Sequence, residues 1–161
     1  MNARMIFFGI LLFELAYDLL RLYLIDKQRK LPLPPEVSDI YEPQRYQTYL
    51  AYTKDNRSLY LKKKAVSVIL NCLMIFTPFF YIIERVANNN IYKIFFITFA
   101  INMIIELVES YIVGYINTFK IQDKYGLNKK DFKEFLRSYF LSEIPSIFIS
   151  LLLYILVIFI C

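Results

Sequence analysis

The sequence predicts an all-α integral membrane protein with about four transmembrane helices, forming one domain over residues 1–161. The first observation behind this prediction is composition, because 58% of the residues are hydrophobic and only 20% are charged. The second is patterning, because the apolar residues gather into blocks close to the ~20 residues that a helix needs to cross a bilayer. The blocks lie at about residues 5–25, 65–83, 91–117 and 140–160.

Three charged residues interrupt the first block at spacings of four and three: Glu14, Asp18 and Arg21. Those spacings place them on one face of an α-helix. A charge at mid-bilayer costs ~2.5–3.5 kcal/mol, so this face needs a partner or water. Asp18 can pair with Arg21, which leaves Glu14 needing a partner on another element. Two interpretations stay open, a structural ion pair that orients helix packing or a face turned toward a water-filled interior.

The polar segment before the second block, residues 26–64, predicts a long second helix that extends into the cytoplasm. Its Pro-rich run at residues 32–35 favours extended backbone, whereas no Pro or Gly occurs between Pro43 and Pro78. We therefore expect one helix to begin near Pro43 and to continue into the second span, with ~30 Å of it outside the bilayer. The alternative is a separate surface helix with a break near Ser58.

The third block also carries polar side chains at spacings of four and three, Asn102, Glu106 and Glu109. They share one helical face and are candidates for lining a polar cavity or for packing directly against another helix. The candidate intramembrane polar residues are thus Glu14, Asp18, Arg21, Asn102, Glu106 and Glu109.

Segment 118–139 leaves the third block through a compact turn at residues 124–128 and then forms an amphipathic approach helix before the fourth block. Its Phe, Leu and Tyr residues recur at helical spacing among charged residues. Such a helix either lies on the membrane surface or feeds directly into the next span. Asn128 followed by Asp131 resembles a capping pair at its N-terminus.

Basic residues decide the predicted orientation, since cytoplasmic loops are enriched in Lys and Arg. Nine basic residues lie in segment 26–64 and six in segment 118–139, against one before the first block and two around the connection between the second and third, Arg85 and Lys93. Both segments are therefore predicted to be cytoplasmic and both termini non-cytoplasmic, in an endoplasmic reticulum-type or bacterial inner membrane. This arrangement explains the net charge of +5 without nucleic acid binding, so the predicted partner is the lipid bilayer.

The sequence contains no His, which excludes His-based zinc ligation and His general-base chemistry within this chain. Cys72 lies in an apolar block and Cys161 is the last residue, so neither a disulfide framework nor a zinc site is indicated. We accordingly predict no catalytic residue, no metal ligand and no cofactor in this chain.

Two separate stretches resemble one family. They are LPPEVSDIYEPQRYQTYLAYTKDN, before the second block, and TFKIQDKYGLNKKDFKEFL, after the third. Together they resemble the N-terminal membrane region of the type I CAAX prenyl proteases, which are integral membrane zinc metallopeptidases. That family typically leaves its third helix through a sequence similar to F-x-I-E-E-K-[FY]-G-F-N-[KR]. The residues that fit this motif are Phe119, Ile121, Lys124, Tyr125, Gly126, Asn128 and Lys129, whereas Gln122, Asp123 and Leu127 depart from it.

The resemblance implies a ring of membrane helices around a water-filled chamber that a zinc domain caps. It also implies that the intramembrane carboxylates face this chamber. The family's zinc site is an HExxH helix with a further Glu ligand downstream, and no counterpart exists in a chain without His. Zinc is therefore expected only where a catalytic partner domain is present.

Three hypotheses for function follow. The first is the membrane-embedded part of a CAAX-type zinc metalloendopeptidase, truncated or split from a separate zinc peptidase domain and inactive alone. The second is a pseudoenzyme, a non-catalytic scaffold or regulator that binds another membrane protein or a lipidated peptide, or that forms a homo-oligomer. The third is a small ion-transport subunit whose intramembrane carboxylates handle ions.

Overall fold

The computed structural model describes residues 3–29 and 43–160, and this part of the chain is helical with short turns and no strand. The predicted all-α class is therefore confirmed. The Pro-rich run at 32–35 lies outside the described residues. The helices are α1 (Ala3–Arg29), α2 (Pro43–Phe76), α3 (Phe79–Val86), α4 (Ile91–Ile116), a π-helical segment (Asn117–Gln122) that continues α4, and α5 (Phe132–Ile160). The chain forms two compact units that divide in sequence between Phe79 and Phe80.

In the first unit, α1 and α2 pack side by side in antiparallel directions. Phe8 meets Phe76 edge to face with ring centroids 5.1 Å apart, while Asp26 lies 2.6 Å from Arg57. Because partner numbers fall along α2 as they rise along α1, the two helices run in opposite directions. The paired stretch of α1 is ~27 Å long, close to the ~30 Å hydrocarbon thickness of a bilayer.

α2 is one uninterrupted helix of 34 residues. It begins at Pro43, where the fixed φ of Pro suits a first helical turn. The predicted long second helix is therefore confirmed, and the alternative break near Ser58 does not occur. α2 ends at Phe76, and Thr77 bonds back to the carbonyl of Leu73 through both its backbone N–H, at 3.0 Å, and its hydroxyl.

A run of three Asn residues connects α3 to α4. The N–H of Asn88 donates to the carbonyl of Arg85 at 3.2 Å, and that of Asn89 donates to the carbonyl of Glu84 at 3.1 Å. Asn88 and Asn89 adopt positive φ values of 52° and 58°, a region that Asn enters more readily than most residues. Asn90 then caps α4, its side chain accepting the N–H of Lys93 at 3.1 Å.

The predicted compact turn after α4 is a Schellman motif. The N–H of Gly126 donates to the carbonyl of Asp123 at 3.0 Å, and that of Leu127 donates to the carbonyl of Gln122 at 2.9 Å. Gly126 has a φ of 67°, the left-handed conformation that Gly adopts without a steric penalty. This explains physically why Gly stands at this position.

The predicted cap of the approach helix was placed too early. α5 begins at Phe132 and its N-cap is Asp131, whose carboxylate accepts the N–H of Glu134 at 2.7 Å. Asn128 instead closes a local turn by accepting the N–H of Lys130 at 2.9 Å. α5 then continues without a break to Ile160, with Pro145 inside it. The approach segment therefore feeds directly into the fourth apolar block.

Two helical segments among the described residues are long and apolar enough to cross a membrane, Ile91–Gln122 and Phe132–Leu156, with mean hydropathies of 1.9 and 1.8. A third candidate arises if α2 and α3, which are bent at the break between them, count as one span. The membrane character is supported by these helices, while the predicted count of four spans stays a prediction.

Candidate functional site

A carboxylate–lysine cluster, defined as Glu14, Asp18 and Lys64, joins α1 to α2. The Lys64 ammonium lies 2.6 Å from the Glu14 carboxylate and 2.8 Å from the Asp18 carboxylate. One cation meets both acids because a spacing of four residues places them on one face of α1. The Lys64 and Asp18 side chains are 16% and 15% exposed, whereas Glu14 is 59% exposed. The Lys64 and Asp18 side chains are therefore largely shielded, whereas the Glu14 side chain is accessible.

The expected pairing of Asp18 with Arg21 was wrong, since the ion pair that Asp18 forms in the described structure is with Lys64. Tyr60 and Arg21 also lie near Asp18. Arg21 itself is exposed. Sequence reasoning missed Lys64 because the residue was assigned to a cytoplasmic loop. The available signal was its position directly before an apolar block.

The register of the two helices places this cluster at the level of the first apolar block. Lys64 stands opposite Asp18, well inside residues 5–25, and the Asp26–Arg57 pair lies ~11 Å further along. Within the predicted first span a Lys needs counter-ions, because an isolated charge in hydrocarbon is unfavourable. Glu14 and Asp18 supply them.

Polar contacts of a different kind join α4 to α5 in the second unit. The Ser110 hydroxyl donates to the Glu143 carboxylate at 2.5 Å, and the Tyr139 hydroxyl donates to the backbone carbonyl of Leu107 at 2.6 Å. Nearer the end of α5, the Tyr154 hydroxyl donates to the carbonyl of Phe95. These bonds satisfy hydroxyl groups that would otherwise be costly within a membrane.

The predicted polar face of α4 takes no part in those contacts. Asn102 and Glu106 are exposed, and Asn102 bonds locally to the carbonyl of Thr98 at 2.8 Å. Glu109 is half-buried, and its Oε1 is a buried atom without a hydrogen-bond partner among the described residues. The neighbouring Ser110, one position later, makes a side-chain hydrogen bond to α5. The sequence carried no signal for its pairing with Glu143, which lies 33 residues away.

An aromatic cluster surrounds Phe135, whose side chain is 4% exposed. Ring centroids lie between 5.5 and 6.5 Å from that of Phe135, a range typical of aromatic packing in proteins. The surrounding residues are Tyr111, Tyr115, Phe119, Phe132 and Tyr139. The cluster fixes the start of α5 against the end of α4 and the π-helical segment.

Several residues of the family motif make structural contacts at the exit from α4. Phe119 belongs to the aromatic cluster and Ile121 is buried. Gly126 provides the left-handed turn, and the Lys124 ammonium lies 5.1 Å from the centre of the Tyr125 ring. These contacts stabilise the turn that follows α4.

A polytopic α-helical membrane domain is the class that these elements define. The particular family follows from comparison, since the family described as CAAX prenyl protease N-terminal, with five membrane helices, matches residues 22–161. The chain belongs to this family, which confirms the resemblance in the two sequence stretches. A search of curated proteins found no match, and a search of solved structures found none either.

The residues of this chain do not fit the zinc that the resemblance implies. The sequence has no His, and within residues 3–29 and 43–160 no three Cys, Asp or Glu side chains come together as a set that could hold a metal ion. Zinc in proteins is held mainly by His and Cys. No chemical step through zinc is therefore assigned to these residues.

Proposed function

We propose that this chain forms the membrane-embedded, chamber-lining part of a CAAX prenyl protease-like zinc metalloendopeptidase. In this proposal proteolysis requires a zinc-bearing peptidase domain or chain in addition. The observation that carries it is the family match over residues 22–161 in a chain that has no His to build an HExxH site. The membrane helices then contribute enclosure and positioning, and the partner contributes chemistry.

The polar residues on otherwise apolar helices support a wet interior. Glu14, Arg21, Asn102 and Glu106 are all exposed in their units. Exposure of such groups to lipid is costly, whereas exposure to a water-filled cavity is not. We assign the chamber lining to Glu14, Asp18, Arg21, Asn102, Glu106 and Glu109.

The orientation proposed for the chain places segments 26–64 and 118–139 in the cytoplasm and both termini on the other side. Its support is the distribution of Lys and Arg among the connecting segments. A single-cysteine variant, Asn56→Cys in a background with Cys72→Ala and Cys161→Ala, is expected to react with a membrane-impermeant maleimide only from the cytoplasmic face. Labelling of intact cells or right-side-out vesicles from outside would reverse the proposed orientation.

The functional test compares the chain alone with the chain purified from its native membranes under mild conditions. We expect the chain alone to hold no stoichiometric zinc and to leave a prenylated CAAX peptide uncut. The native preparation should contain a polypeptide with an HExxH motif, bind zinc and cleave the peptide in a chelator-sensitive manner.

Two other outcomes would replace this proposal. A stable homo-oligomer from native membranes, without zinc or cleavage, would favour the scaffold or regulator. Ion flux through liposomes that contain only this chain, abolished by Glu106→Gln but not by the exposed control Glu134→Gln, would favour the transport subunit.

A further inference from the structure

A basic surface lies at the start of α5 and in the turn before it, and it is defined as Lys129, Lys130, Lys133 and Arg137. All four residues are exposed. Lys133 and Arg137 are four residues apart and share one face of α5, on the side opposite Phe135 and Tyr139, which pack toward α4. The cations therefore point away from the aromatic cluster.

Exposed aromatic side chains flank this basic surface. Phe132 and Phe140 are 51% and 60% exposed, and with Leu136 they follow a spacing of four along α5. The stripe of Phe132, Leu136 and Phe140 lies between the face that packs toward α4 and the basic face. It is about a quarter of a helical turn from each of them. Basic residues beside exposed aromatic residues at the end of a membrane helix are typical of the interfacial level, where the lipid headgroups lie.

The two acidic residues nearby, Asp131 and Glu134, offset only half of the four positive charges of the surface. Asp131 is engaged as the N-cap of α5, where its charge meets the positive end of the helix dipole. Glu134 is the remaining acid within the first turn of α5. Lys130 donates to the Ser138 hydroxyl at 3.1 Å, a neutral partner that leaves its charge uncompensated.

We propose that this basic surface binds the headgroups of anionic phospholipids. The aromatic cluster holds the surface in place at the point where α5 enters the apolar block, so four cations face the headgroup layer while Phe132 and Phe140 contact the acyl boundary. Juxtamembrane Lys and Arg near an anionic leaflet are each attracted to it, over a range that salt shortens.

The test uses the full chain in nanodiscs of phosphatidylcholine alone or mixed with phosphatidylglycerol. Lipid retained through mild detergent extraction is quantified by mass spectrometry. We expect wild-type chain to retain phosphatidylglycerol selectively, and the fourfold Gln variant of the basic surface to lower that selectivity by at least ~10-fold. The matched control replaces four exposed cations of the first unit, Lys27, Arg45, Lys54 and Lys62, with Gln and should retain most of the selectivity.

Salt provides a measurement that needs no variant. The selectivity of wild-type chain should fall between low and high ionic strength, and inorganic phosphate at matched ionic strength should not compete with the lipid. Unchanged selectivity in the fourfold variant, an equal loss in the control, or salt-independent retention would each overturn the proposal. Binding of an acidic peptide with no lipid preference would assign the surface to a protein partner instead.

Discussion

The two units of the chain join their helices by different chemistry. α1 and α2 are linked by the carboxylate–lysine cluster and by the Asp26–Arg57 ion pair, with Phe8 and Phe76 in contact near the far end. α4 and α5 are linked by hydroxyl hydrogen bonds and by the rings around Phe135. Charge joins the first pair, and aromatic packing joins the second.

This difference follows from what a bilayer leaves available to hold helices together. Lipid tails are as apolar as Leu, so burying Leu against another helix gains little, and close packing and polar contacts decide association. The contacts between α4 and α5 are made by aromatic rings and by hydroxyl donors. Neither of these groups carries a charge that hydrocarbon would disfavour. α1 and α2 use full charges, which need water or close counter-ions. The α1–α2 hairpin is therefore expected to be the more sensitive unit to its surroundings.

The largest effect is expected from Phe135→Ala, which removes the centre of the aromatic cluster. Phe-to-Ala changes in packed interiors cost ~3–5 kcal/mol, so the free energy of unfolding in mixed micelles should fall by about that amount. Gly114→Ala is the matched control, because an added Cβ would lie 3.5 Å from the Phe135 ring, an ordinary contact distance. A comparable loss in the control would mean that the interface tolerates no change at all.

An intermediate effect is expected from Lys64→Met, which leaves Glu14 and Asp18 without their shared cation. The loss should be smaller than for Phe135→Ala, because Glu14 is 59% exposed and can be hydrated. Adding Glu14→Gln and Asp18→Asn to Lys64→Met should restore most of the thermal stability, whereas the exposed control Lys62→Met should change little. Failure of the triple variant to recover would show that Lys64 acts through packing rather than charge.

The smallest effect is expected from Ser110→Ala, which removes one donor to Glu143. Hydrogen bonds between membrane helices contribute ~0.6 kcal/mol on average, so the unfolding free energy should fall by about that much. Ser142→Ala serves as control, since the Ser142 hydroxyl bonds to the carbonyl of Tyr139 on its own helix. If Ser110→Ala lowered the free energy of unfolding by several kcal/mol, the second unit would depend on the Glu143 carboxylate as strongly as the first unit depends on its ion pairs.

The sequence predicted the helical elements well where local chemistry sets them. Pro43 begins α2 and a tight turn forms at Gly126, each for reasons that operate within a few residues. The error at the start of α5 was of the same local kind. Asn128 and Asp131 are both good capping residues, and the backbone bonds of the turn decide which of them begins the helix.

The candidate site was predicted only in part. Spacing grouped Glu14 and Asp18 on one face of α1, but it did not indicate Lys64, the cation that meets both acids. The α4 face of Asn102, Glu106 and Glu109 was found by spacing alone, while the neighbouring Ser110 makes the contact with α5. Spacing shows which residues share a face. It does not show which way that face turns.

By itself the sequence determined the all-α membrane class, the long second helix that begins at Pro43, the turn at Gly126 and membership of the CAAX prenyl protease N-terminal family. Composition, apolar block length, turn residues and short sequence motifs carry that information. Each can be recognised along the chain without knowing how the helices pack. Only the tertiary structure decided that Lys64 joins two acids 50 and 46 positions away in sequence and that Phe135 becomes buried. Those outcomes depend on the rotation and register of packed helices, which no local signal specifies.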